Sequence, residues 1–140
     1  MVRHNQHRAA KPVQGRAEEF FDTPAFERYR RLARVRQFVL ANYARPVTLA
    51  HVAQIAGMEQ TSFSRFFHKR VGVTFRYWLN CVRIIHAKQL LITTRDKVAI
   101  IAHTVGFEHP RTFEHQFRKL QGEAPHIFRE RLLHARRCAG

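Results

Sequence analysis

Apolar residues recur along the chain at helical spacing, and nothing alternates with period two over a useful length. The pattern predicts an all-α protein with no strands. Thr23-Pro24 reads as a helix start, an N-cap followed by proline at the first helical position. Leu32, Val35 and Val39 carry that helix to about Asn42, before Ala44-Arg45-Pro46 breaks it. Thr48 caps the next helix, where Leu49, Val52, Ala53 and Ala56 fall at i, i+3, i+4 and i+7 and Gly57 closes. After a short turn, Phe63, Phe66 and Phe67 mark one face of another helix, ended by Gly72. Phe75, Leu79 and Val82 continue in a longer helix to about Ile92. Asp96 starts another, with Val98, Ile101, Ala102 and Val105 inside and Gly106 at its end. Phe113 and Phe117 mark the next, closed by Gly122, and Pro125 opens a last helix reaching about Leu133.

Two halves of this pattern match. LAHVAQIAG (49–57) corresponds to VAIIAHTVG (98–106) at an offset of 49, and SFSRFFHKRVG (62–72) to TFEHQFRKLQG (112–122) at an offset of 50. The second turn is therefore one residue longer. Each half reads as a short apolar-faced helix, a glycine, a turn, and a second helix with aromatic anchors and a basic outer face. That is the sequence form of a helix-turn-helix. Ala53 and Ala102 are small where two helices cross, and the turn residues Gly57 and Gly106 permit a left-handed backbone. The phenylalanine pairs, four apart, pin each second helix inward. Their neighbours then point outward: Ser64, Arg65, His68 and Lys69 in one half, Glu114, His115, Arg118 and Lys119 in the other. An outward basic face on one helical hairpin is commonly just solvated; two matched faces say more.

Charge sharpens the reading. Twenty-five Lys and Arg oppose ten Asp and Glu, a formal net charge of +15. Such a chain seeks polyanions: DNA, RNA or an anionic membrane surface. Residues 1 to about 22 are polar, basic and aperiodic and read as a loosely ordered tail, either simply solvated or adding phosphate contacts through Arg3, Arg8, Lys11 and Arg16. No stretch approaches the roughly 20 apolar residues of a membrane span, and no apolar run follows the basic N-terminus as a secretory signal would require. Cys81 and Cys138 are far apart, which fits a reducing cytoplasm and not a disulfide framework.

From about Arg28 to Arg129 the chain resembles the DNA-binding domain of AraC/XylS-family transcriptional regulators. The residues carrying the resemblance are LAHVAQIAGM, FSRFFHKRVGVTF, the connecting RIIHAKQLLITT (83–94), and above all VAIIAHTVGFEHPRTFEHQFRKLQGEAPHIFR (98–129). The resemblance implies about seven helices: two helix-turn-helix subdomains joined by a long central helix. It divides the chain into a tail (1–27), a first unit (28–73), a linker helix (74–92) and a second unit (93–140). The second helix of each unit, about 60–71 and 110–121, would enter successive major grooves, held about 34 Å apart. By motif position the base-reading residues are Thr61, Ser64 and Arg65 in the first unit, and Pro110, Arg111, Glu114 and His115 in the second.

Chemistry supports some of these assignments more than others. Arg65 and Arg111 suit bidentate contacts to guanine O6 and N7, and His115 can donate to guanine or phosphate. Pro110 serves as a first helical residue or touches a thymine methyl. Glu114 either accepts from cytosine N4 or repels phosphate. Gln60, His68, Lys69, His109, Arg118 and Lys119 suit phosphate contacts that position without specifying. Glu59 and His109 are poor N-caps, although Glu59 suits the helix dipole.

The partners expected are promoter double-stranded DNA, with RNA polymerase as a further contact because most members activate transcription. One chain carrying two readers is expected to act as a monomer in a bacterial cytoplasm, beside the nucleoid. About 27 residues precede the resemblance, too few for a sensing pocket, so no small-molecule effector is expected. Either the activity is set by the protein's amount, as in short stand-alone members, or the chain is the DNA-binding part of a longer regulator.

Other classes fit less well. His4/His7 and His109/His115 lie close in sequence, but no His-Glu-x-x-His or Cys-x-x-Cys accompanies them, and Cys81 has no partner suggesting a nucleophile. No catalytic residue, metal or cofactor is therefore expected. Histidines beside phosphates would instead make binding tighten in acid. Basic amphipathic helices lie on anionic membranes, but here they alternate with glycine-closed turns and carry aromatic core anchors. RNA binding would call for an aromatic strand motif or a Gly-x-x-Gly loop.

Overall fold

The repeat seen in the sequence is a repeat of backbone hydrogen bonds. The computed structural model describes residues 16–139. Among them are nine helices: α1 (Arg16–Glu19), α2 (Ala25–Arg28), α3 (Arg30–Asn42), α4 (Leu49–Ile55), α5 (Gln60–Val71), α6 (Phe75–Thr93), α7 (Val98–Thr104), α8 (Pro110–Gln121) and α9 (Pro125–Ala139). No strand occurs among the described residues. From α3 onward these are the seven helices and two helix-turn-helix units that the resemblance implies; α1 and α2 are additional.

Both first helices close in the same way. Gly57 and Gly106 take positive φ, 69° and 106°. The following N–H groups reach back, Met58 to the Ala53 carbonyl and Phe107 to that of Ala102, each at 2.9 Å. The glycine N–H groups meet the carbonyls of Gln54 and His103. This double bond pattern satisfies carbonyls left open at a helix end and reverses the chain toward the next helix. At the other end of α4, Thr48 caps as anticipated, its hydroxyl accepting from the His51 N–H at 3.1 Å.

Two apolar clusters share α6. Leu32, Val35, Val39, Val52, Phe63, Phe67, Phe75, Trp78 and Val82 form the first. Cys81, Ile84, Ala87, Leu91, Ile101, Phe113, Phe117 and Phe128 form the second. The repeat extends into this packing. Phe67 sits 5.8 Å from Trp78 and Phe117 sits 5.4 Å from Phe128, ring centre to ring centre. Trp78 and Phe128 stand at the same offset as the helices they anchor. Thus α6, the linker helix, is a wall of both cores, and its apolar residues on two sides suit the longest helix among the described residues.

Five expectations change. The loose tail does not extend to residue 27: Ala17, Ala25 and Phe26 are buried, so residues 16–28 belong to the fold. The phosphate contacts imagined for Arg3, Arg8 and Lys11, and the Arg16 side chain, lie outside what is described. The helix expected from Thr23 to Asn42 breaks at Tyr29, which takes an extended backbone (φ −112°, ψ 117°). The break lets Phe26 enter the first core while the Tyr29 ring meets Phe66 edge-on at 5.5 Å. Thr23 does not cap; its hydroxyl donates to the Phe20 carbonyl. Asp96 does not start the seventh helix either. Its N–H turns to the Thr94 hydroxyl at 3.3 Å, and α7 begins two residues later behind Lys97, which offers no side-chain cap. Finally, α9 runs past Leu133 to Ala139, where Arg136 donates to the Ile92 carbonyl.

Candidate nucleic-acid interface

With Phe63, Phe67 and Val71 turned into the first core, α5 exposes Gln60, Thr61, Ser64, Arg65, His68 and Lys69. α8 repeats the division. Phe113, Phe117 and Leu120 are buried, and Arg111, Glu114, His115, Arg118 and Lys119 are exposed. His109 is exposed at the N-cap, with its ring 4.0 Å from Glu108, and Pro110 is half-buried at the first helical position. At about 100° of rotation per residue, Arg65 and His115 lie opposite the phenylalanine anchors, farthest from each core. Neither Glu59 nor His109 makes a side-chain cap bond, so the first turns of both helices keep N–H groups unpaired by the chain.

Not every cation belongs to these faces. Arg70 lies over the rings of Tyr29 and Phe66, at 5.0 and 5.8 Å. Arg129 donates to the carbonyls of Leu91 and Thr94 at the end of α6, where positive charge also suits the helix dipole. Arg36 pairs with Asp22, Arg131 with Glu123, and Lys88 with Glu18. Hydrogen bonding to Glu123 raises the Arg131 pKa further. Several of the basic residues behind the +15 charge therefore hold the fold rather than a polyanion.

Sequence reasoning missed the junction between the two units. Arg83, buried on α6, donates from Nε to the Tyr43 carbonyl at 2.9 Å and from Nη2 to the Arg45 carbonyl at 3.0 Å. Its guanidinium lies 5.8 Å from the Phe107 ring centre. Burial, and then the nearby Arg76, lower its pKa, but a guanidinium still keeps its charge. The Tyr43 ring stacks on His86 at 4.0 Å. Gly106 packs so closely here that a Cβ would stand 2.5 Å from the Tyr43 oxygen and 2.8 Å from Arg83 Nε. The end of α3, the middle of α6 and the second turn thus meet at one clasp. The available signal was a lone arginine inside the apolar stretch LNCVRIIHA; charges are rarely buried without specific partners.

Beside the clasp lies a cleft whose lining includes Thr48, Arg76, Asn80, His103, Thr112 and Gln116. Arg76, Asn80 and Arg83 form one stripe along α6, at i, i+4 and i+7. Burial, with Glu18 and Glu19 adding to it, pushes the Cys81 thiol up to about 12, far from a reactive thiolate. Among the described residues, no group of three or more His, Cys, Asp or Glu could hold a metal ion; His4 and His7 lie outside them. Nor is any described helix long and apolar enough to cross a membrane.

Known proteins share this arrangement. Residues 52–131 match the model of a helix-turn-helix domain family. The chain belongs to the AraC/XylS-type helix-turn-helix family. It is 32% identical over 106 residues to the transcriptional activator NphR of a Rhodococcus species, covering 75% of this chain and 31% of that protein. It is 35% identical over 81 residues to the arabinose operon regulatory protein of Escherichia coli, covering 58% and 28%. Among solved structures it is similar to the DNA-binding domain of AdpA, a global transcriptional factor in complex with a target DNA. The TM-score there is 0.70, with 29% identity, over 77% of this chain and 96% of that one. The chain spans about a third of the length of the curated relatives it matches. The AraC/XylS-type family consists of DNA-binding regulators rather than enzymes, and the fold here is its two-unit DNA-binding domain.

Proposed function

We propose that this chain is a sequence-specific double-stranded-DNA-binding transcriptional regulator, acting as an activator and binding as a monomer in the bacterial cytoplasm. The observation that carries the reading is the pair of matched, exposed faces on α5 and α8, each backed by its own aromatic core and both joined through α6. Such helices enter successive major grooves on one side of the duplex. Arg65 and Arg111 read guanine, while Thr61, Ser64, Pro110, Glu114 and His115 make the remaining base contacts. Gln60, His68, Lys69, His109, Arg118 and Lys119 hold phosphates. Arg76 and Asn80, in the cleft between the units, join the phosphate set. As an activator the protein contacts RNA polymerase beside the promoter; the reading invokes no small-molecule effector and no cofactor.

Selection of binders from a randomised duplex library at near-physiological salt tests the proposal. Two short enriched blocks about one helical turn apart are expected. A single block would overturn the two-helix reading, and no enrichment would overturn sequence specificity. Transcription in a purified system from a promoter bearing the selected site tests activation: the transcript should rise on adding the protein, and a fall would make it a repressor.

A further inference from the structure

Residues 16–28 cross the back of the molecule and attach to both units. Ala17 is fully buried in the second core. Next to it, Glu18 pairs with Lys88 of α6 at 2.5 Å, with the Lys88 side chain only 9% exposed. Burial lowers the Lys88 pKa and the bond to Glu18 opposes that shift. The Phe20 ring then meets Tyr77 edge-on at 6.1 Å. Asp22 pairs with Arg36 on α3, and Phe26 is buried in the first core, 6.0 Å from Phe67 and 4.9 Å from Trp78. In terms of elements, α1 packs on α6 and α8, and α2 on α3 and α5. This segment therefore touches the inner side of both helices that carry the exposed faces. It lies outside residues 52–131, which match the family's domain.

We infer that residues 16–28 are a strap that fixes the separation of the two reading helices and so determines which spacing between two DNA blocks the protein accepts. The inference rests on the two-helix reading proposed above. Two linked binding modules gain affinity by acting together only when their geometry matches the span of their sites. A connection through α6 and the clasp alone leaves the strap side of each unit free to splay. With the strap in place, the second recognition helix is backed by α1 through Ala17 in the second core, α1 itself is tied to α6 by the Glu18–Lys88 pair, and the first recognition helix is backed by Phe26. The strap acts through α5 and α8, so it is a positioning element.

The test measures binding of the whole chain to duplexes carrying both selected blocks at the natural spacing, both blocks with the spacer changed by two base pairs, or one block alone. The natural protein should lose about 100-fold in affinity when the spacing changes. Glu18→Lys, which sets two cations against each other beneath α1, should cut that discrimination to about tenfold or less while leaving single-block affinity within about twofold. Adding Lys88→Glu reverses the pair and should restore the discrimination. If Glu18→Lys does not fold, as judged by circular dichroism, Phe20→Ala loosens the strap midway and keeps its buried anchors. Full spacing discrimination in a folded strap variant would overturn the inference, and so would an equal loss on single-block and two-block DNA. Absence of two-block preference in the natural protein would instead sink the two-helix reading itself.

Discussion

The two helix-turn-helix units use one motif under different constraints, and the contrast is clearest at their turn glycines. Gly57 has positive φ but open space where a Cβ would stand; Gly106 has positive φ and a carbonyl oxygen and a guanidinium in that space. In the first unit glycine answers a local backbone requirement. In the second it also lets the turn dock on the end of α3, where Arg83 ties Tyr43 and Arg45 to the long helix. A sequence repeat therefore need not be a mechanical repeat. The first turn stands alone, whereas the second is where the units are joined.

The largest expected effect breaks that contrast directly. Gly106→Ala should lose about 2–5 kcal/mol of stability, summing left-handed strain and overpacking. Gly57→Ala should lose only about 1–2 kcal/mol, from strain alone. Calorimetry on both variants decides the matter, and equal losses would end the distinction between the turns. Next, Arg83→Met should cost about 2–3 kcal/mol by leaving two carbonyls without their donor. In the same variant, affinity for two-block DNA should drop more than affinity for either block alone; parallel drops would mean that the clasp stabilises without orienting.

Smaller effects compare the reading faces and the caps. Arg65→Ala should remove about 1–3 kcal/mol of discrimination at one base of the first block, seen in repeat selection, while the melting temperature stays put. His115→Ala, at the matching outward position, should have a smaller effect on the second block, because a single imidazole lacks the bidentate fork. Equal effects would show that position rather than side chain governs readout. Last, Thr48→Ala should cost about 1 kcal/mol by removing the cap of α4, and Lys97→Ser should add about 0.5–1 kcal/mol by supplying the missing one to α7. Denaturant titration resolves both, and a neutral Lys97→Ser would show that α7 is fixed by tertiary packing instead.

What was legible in the sequence was local. The phenylalanine pairs, the turn glycines and the offsets of 49 and 50 lie within a few turns of helix, where periodicity carries the signal. They placed the outward residues of both second helices on the exposed sides of α5 and α8. The strap left no such signal. Ala17, Phe20 and Phe26 are spread through a polar stretch, and Glu18 meets Lys88 seventy residues away. At the break the Tyr29 ring meets Phe66 and Arg70, contacts distant in sequence that no local rule anticipates. At Asp96 the sequence offered an ordinary helix start, but the Asp96 N–H bonds the Thr94 hydroxyl at the end of α6 and α7 begins two residues later behind Lys97. Arg83 was visible as a charge in an apolar run, but the carbonyls it serves lie at the C-cap of α3 and in the loop beyond it.

Trp78 has an optical consequence. It is the only tryptophan in the chain, fully buried in the first cluster and 4.9 Å from Phe26 of the strap. Its fluorescence therefore watches one half of the molecule, while far-ultraviolet ellipticity sums over all the helices. If the halves melt as one body, the two signals follow a single curve. If the second half opens first, ellipticity falls while the indole emission stays at its native wavelength. The protein thus carries its own dye for telling one cooperative melt from two.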